Sequence, residues 1–467
     1  MMIKVSPSPI PNSSSVSLPP ALLEVDTYLT GLLDKVIDKK SQGWLQDLRE
    51  RAADWVRHSS VPTKRDEEWR FTDLSPLLEV QFDVETELIQ SLQNFDISPE
   101  TSNCRLVFVN GVYAPELSAV SGLPAGILVT NLTNLPGDYA ERTREYLAQA
   151  EGAMEVFTAL NTAGMLDAAV VWVDKNVVFD APIHLVFVST AGEMPIVSLP
   201  RCLVVAETGS QVSFLEEFNH KGTKGTKGEK GKSGKGVYFC NAVTEIWVAD
   251  NAHVNHVRIQ REAEDAFHIG KTAVTQGRYS RYTSTAIVFG GKVSRHNLEI
   301  LQTGEQTETT LNGLTMISGN QVADTHSAIA LNHPYGVSRQ LHKCIVGDRA
   351  HGVFNGKIFV PKLAQQTEAS QLNRNLLLSS KARVDTKPQL EITADNVKCA
   401  HGATVSQLED DEIFYLQSRG IDEDDARHLL VNAFAAEIIN NISVPSLRES
   451  LTSTVTNLKS ISNNRCQ

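Results

Sequence analysis

From Ala168 to Val405 the chain runs for about 240 residues without one convincing amphipathic helix. Its apolar residues fall instead in short pieces with strand-like patterning. Examples are Ala169–Val173, His184–Ser189, Cys202–Ala206, Val237–Val248, His253–Gln260 and Tyr282–Phe289, then Asn297–Gln302, Thr309–Ile317, His326–Leu331 and Leu390–Thr393. Gly, Asn and Asp separate them. Many short strands at modest spacing fit a sandwich, a barrel or a β-solenoid. No fixed-period motif is visible. The length of the run, with no breakpoint for a second sandwich, favours a solenoid, which grows by adding turns. A stack of that kind has an edge at each end, and edges need covering; the helical segments before and after it are the expected caps.

Bulk properties narrow the class. The 467 residues are 41% hydrophobic and 21% charged, ordinary values for a globular protein. The net charge of −12 argues against a general nucleic-acid binder. Apolar runs such as Ala168–Val173 and Ile183–Val188 are too short to span a bilayer. Six cysteines (104, 202, 240, 344, 399 and 466) are scattered without a CxxC pair, so neither a disulfide framework nor a zinc ribbon is expected. A reducing compartment follows: the cytoplasm, with the plastid stroma as alternative. Residues 1–20, rich in Ser and Pro, read as a disordered leader or a fragment of a transit peptide.

Four regions result: the leader, an N-terminal helical domain over 21–167 containing a β-hairpin, a β core over 168–405, and a C-terminal helical domain over 406–467. Residues 21–59 show helical periodicity, and a second helix is expected from Asp138 to about Met165. Arg105–Val109 and Val112–Ala114, joined by Asn110-Gly111, predict a hairpin with a type I′ turn. Trp69 and Phe71 become same-face anchors if their segment is extended. After the core, Asp411 and Asp422 are candidate helix caps, Gly420 a stop and Pro445 a start. The Lys/Gly run at 221–236 contains Gly231-Lys232-Ser233, but Thr226 stands where a phosphate loop needs glycine and a strand follows. It reads as a flexible insert.

The candidate chemistry lies at the end of the core, in Asn396–Val405. Extended, this stretch places Val397, Cys399, His401, Ala403 and Val405 on one face. Cys399 and His401 then stand roughly 6.5 Å apart at Cα. A thiol and an imidazole so placed suit iron, zinc or copper. A small buried cysteine beside an incidental histidine is the plainer reading. No HExxH, GxSxG, GxGxxG or Walker A motif is present. The residues alone leave open a β-helix polysaccharide lyase or hydrolase, although the acidic residues show no fixed pattern, and a solitary metal-binding protein.

Longer phrases carry a resemblance. Gly352-Val353-Phe354-Asn355-Gly356-Lys357-Ile358, Thr386-Lys387-Pro388-Gln389-Leu390-Glu391-Ile392, Asp395-Asn396-Val397-Lys398-Cys399-Ala400-His401-Gly402-Ala403-Thr404 and Phe414-Tyr415-Leu416-Gln417-Ser418-Arg419-Gly420-Ile421 resemble the SufB/SufD family of iron–sulfur cluster assembly proteins. Glu67–Thr72 and Phe108–Gly111 are similar to its SufD branch, and Gly402 stands where SufB-type chains carry glutamate. The resemblance implies a right-handed parallel β-helix core between helical domains and a non-catalytic scaffold role. It further implies a heterodimer with SufB through the β-helix ends, a SufC ATPase held by the C-terminal helices, and a transient iron–sulfur cluster or iron as cargo. No nucleotide is expected on this chain, nor nucleic acid or membrane as partner, and a homodimer is possible in isolation. The family's interface histidine matches His401 and the neighbouring cysteine Cys399. Arg419, Leu429, Leu430, Phe434 and Ile438 are the candidates for helix packing or partner contact.

Overall fold

Left-handed backbone recurs once per turn of the core. Asn176, Gly209, Asn251, Tyr279, Gln306, Tyr335 and Gln366 all have φ between 57° and 72°. Each backbone N–H in this column donates to a carbonyl of the next turn: Asn251 to Arg278, Tyr279 to Glu305, Gln306 to Pro334, Tyr335 to Gln365 and Gln366 to Asn396. The corner is held by its neighbours, which lets non-glycine residues occupy a conformation they otherwise avoid.

The computed structural model describes residues 26–37, 43–85, 98–190, 194–221 and 236–457. The leader, most of the Lys/Gly insert and Cys466 lie outside these. Two facing sheets are built by a chain that passes from one to the other, giving a β-solenoid of about seven turns flanked by helices. One sheet ends with the strands Val337–Val346, Glu368–Leu377 and Lys398–Gln407; the other ends with Val322–Ala330, His351–Val360 and Arg383–Ile392. All these pairs are parallel. Between the sheets lies a buried column of Val204, Phe214, Ile246, Val254, Val274, Ile300, Ile329 and Ile358.

The first end of the stack is extended by antiparallel strands. Cys104–Val109 adds in parallel to Val178–Thr190 and carries Val112–Tyr113 antiparallel on its other side. The Asn110-Gly111 turn has φ of 51° and 83°, as the hairpin reading requires. Ile127–Asn131 adds antiparallel to Ala169–Val173.

The described helices do not cap the far end. Leu29, Leu33, Val56, Trp69, Phe157 and Leu160 pack on the outer flank of one sheet against Phe239, Phe267, Ile269 and Val293. Val431, Ala435, Ile438 and Leu451 pack on the flank of the other, against Val257, Ile287, Leu314 and Ile345. Both helical regions lie alongside the stack because the outward faces of these strands are themselves apolar. Two local expectations change. Asp138–Met165 is two helices, Gly137–Thr143 and Val156–Gly164, parted by left-handed Ala148 and Gly152. Glu67–Trp69 is a 3₁₀ turn that buries Trp69. At the C-terminal end Asp422 caps Glu423–Ile439 by accepting from the Asp425 N–H, and Pro445 opens Pro445–Thr456. Asp410–Gln417 starts one residue before Asp411 without a side-chain cap. No helix among the described residues is long and apolar enough to cross a membrane.

Candidate metal centre at the open end of the solenoid

Lys398–Gln407 is the last strand of its sheet and Arg383–Ile392 the last of the other. Most residues of the first are exposed and the second is mostly half-buried, whereas one turn earlier half of Glu368–Leu377 and most of His351–Val360 are buried. Each final strand has one described neighbour, so each presents a row of backbone N–H and C=O groups outward. On the last strand Val405 is 50% exposed, an apolar side chain among these free backbone groups.

Register places the candidate ligands. Cys399 pairs with Ala369 and His401 with Gln371. Cys399 packs against the inner core, and alternation puts His401 on that same lumen-facing side. Beneath His401 runs the column Gln371, Gln340 and Leu311. The two amides are hydrogen-bonded at 2.8 Å, and Ser327 bonds to Gln340. A buried polar column therefore rises to the open end and stops at an exposed imidazole. Cys399 is half-buried; burial pushes its thiol up, and a hydrogen bond with the Ala369 backbone partly opposes this. One nitrogen and one sulfur on an uncovered strand make an incomplete ligand set, which a second surface can finish.

The helical candidates separate. Ile438 is fully buried against the solenoid, and Phe434 packs beside it with Lys343 Nζ 4.3 Å from its ring centroid. Lys343 also donates to the Phe434 carbonyl at 2.8 Å and pairs with Glu437. These contacts hold the helix down. Leu430 is half-buried, while Leu429 is 49% exposed. Arg419 lies over the Tyr415 ring at 5.3 Å. The side chains that sequence reasoning missed are Phe414 and Tyr415, 70% and 58% exposed. Their signal was adjacency: two aromatic neighbours on a one-sided helix cannot both face inward.

Comparison with known proteins shows the family. Residues 187–434 match the family model described as the SUF system FeS cluster assembly, SufBD core domain, and residues 29–185 match the SufBD protein N-terminal region. The chain belongs to the SufBD family of iron–sulfur cluster assembly proteins. An iron–sulfur cluster assembly SufBD family protein of Synechocystis is 47% identical over 91% of this chain and 92% of its own length. The chloroplastic protein ABCI7 of Arabidopsis thaliana is 34% identical over 94% of the chain and 92% of its length. Escherichia coli SufD is 32% identical over 84% and 88%. In this SufBD protein the core match begins with Phe187, within the first long strand, and ends on the helix that carries Phe434.

Proposed function

We propose that this SufBD protein is a non-catalytic scaffold subunit that completes a cluster-building site at its open solenoid end. The observation that carries the reading is His401, exposed at the top of a buried polar column on strands with unpaired outer edges. A SufB-type partner would continue both sheets across the seam, pairing the free backbone groups and covering Val405. His401 would ligate iron or the nascent cluster together with groups of the partner, with Cys399 as second ligand. Exposed Phe414 and Tyr415 on Asp410–Gln417, and Leu429 on the docked helix Glu423–Ile439, would give a SufC-type ATPase its apolar contacts. Closure of that ATPase would move the seam and release the cluster to acceptors.

The test is co-expression with SufB and SufC from one source and co-purification of the three chains. The reading expects one complex that carries iron and sulfide, and a complex of unchanged composition but without cluster when His401→Ala is substituted. A chain that purifies alone, or a cluster indifferent to His401, overturns it.

A further inference from the structure

Several turns in from the open end, Cys240 and His268 are direct partners in the ladder between Tyr238–Val248 and Phe267–Gln276. Parallel register stacks such partners about 4.8 Å apart. Between them the chain passes through His253–Arg261 of the other sheet, and the corner after that strand brings Glu262 to the same point. The Cys240 Sγ, a Glu262 carboxylate oxygen and a His268 ring nitrogen lie within 4.8 Å of one another, and all three side chains are buried. Among the described residues no other three such groups converge this closely.

We propose that Cys240, Glu262 and His268 form a second metal site, inside the solenoid, for a zinc-class divalent transition ion. A thiolate, a carboxylate and an imidazole are a donor set for zinc or ferrous iron. Bond lengths of about 2.0 to 2.3 Å require ligand atoms roughly 3.3 to 3.8 Å apart, and small side-chain adjustments reach this from atoms that lie within 4.8 Å of one another. The charges also balance. Two anionic ligands neutralise a dication, and neighbouring Arg258 has its own counter-charge in Glu216, 3.7 Å from its Nε.

The surroundings hold the ligands in place. Tyr238 donates to Glu262 Oε2, and the Ala263 N–H donates to the Tyr238 oxygen at 2.9 Å. Arg258 Nη2 is 2.7 Å from His268 Nε2, so Nδ1 bears the proton and donates to Glu262 Oε1 at 2.8 Å. Burial, with the Glu262 carboxylate adding to it, holds the Cys240 thiol well above its ordinary value. Metal entry displaces the thiol proton to solvent and moves the imidazole proton from Nδ1 to Nε2. Arg258 then turns from that nitrogen toward Glu216. An ion here would tie two successive turns and the loop between them.

Cobalt(II) titration of the metal-stripped full chain tests this without any cluster. One equivalent should give a thiolate-to-cobalt charge-transfer band, displaced by zinc. The signal should survive the double substitution Cys399→Ala/His401→Ala, disappear in Cys240→Ser, and demand about tenfold more cobalt or worse in Glu262→Gln. Circular dichroism reports whether each variant is folded. The absence of a thiolate band in the unsubstituted chain overturns the proposal. So does a band that persists in Cys240→Ser, or one that vanishes in the double variant at the open end. Failure here leaves the reading of His401 untouched, because that reading is judged by cluster content in the complex.

Discussion

His401 sits one ladder position beyond Gln371, on the face that Gln371 shares with Gln340 inside the solenoid. The same backbone face that buries two hydrogen-bonded amides leaves an imidazole uncovered, because the stack ends there. That contrast is structural before it is chemical, and it is what the proposed partner would resolve by adding the next turn.

The C-terminal helix should divide into anchoring and contact residues. Ile438→Ala empties a fully buried site and should cost about 2–5 kcal/mol of unfolding free energy. Leu429→Ala should change stability by less than about 0.5 kcal/mol yet weaken capture of the ATPase partner. Urea unfolding paired with a pull-down distinguishes the two. A Leu429→Ala variant as unstable as Ile438→Ala would reverse the assignment.

The buried Arg201–Glu245 pair should be among the costliest to break. Arg201 also donates to Asn161 at 3.1 Å and Thr162 at 3.0 Å, while Glu245 accepts the backbone N–H groups of Ala148 and Ala150. Arg201→Met strands that carboxylate inside the protein, an expected loss of about 3–5 kcal/mol. Lys398→Ala, which breaks the exposed pair with Glu368, should cost under about 1 kcal/mol. Denaturation midpoints of the two variants check the ranking.

Docking of the N-terminal region should weaken as pH rises. His326 faces Asp324 at 3.0 Å through Nε2 and Glu68 at 3.2 Å through Nδ1, with Arg295 Nη1 3.2 Å from Nε2. Burial pushes His326 down, but the two carboxylates outweigh it and the net shift is upward. A raised histidine contributes fully below its unfolded value of about 6.5 and loses that contribution as pH climbs through the folded value. Glu68 is shifted down, chiefly by its hydrogen bond to His326, so its share is present above the ordinary glutamate range and fades on acidification. Limited proteolysis between about pH 6 and pH 9 should show progressive loosening. His326→Gln should flatten that profile, and an unchanged slope in the variant would count against the contact.

Much of the fold was legible where local chemistry decides the backbone. Asn110-Gly111 specifies its turn, Asp422 and Pro445 specify helix starts, and alternation placed Cys399 and His401 on one face. The turn period was hidden because the repeating corner is a backbone state, filled by Asn, Gly, Tyr and Gln in different turns. Helix breaks at Ala148 and Gly152 were obscured for a related reason. The loop there is fixed by Glu245, about a hundred residues away, and periodicity cannot report a distant carboxylate. The position of the helices beside the stack, and the meeting of Cys240 with His268, depend on the length of each turn. That length is known only once the register is.

The most direct measurement is pulsed electron paramagnetic resonance of the reduced, cluster-bearing complex, with this chain labelled with ¹⁵N-histidine and its partners unlabelled. The account predicts a ¹⁵N coupling from a histidine bound to the cluster, and no cluster signal at all once His401→Ala is introduced. A cluster without ¹⁵N coupling, or a coupling that survives the substitution, would contradict it.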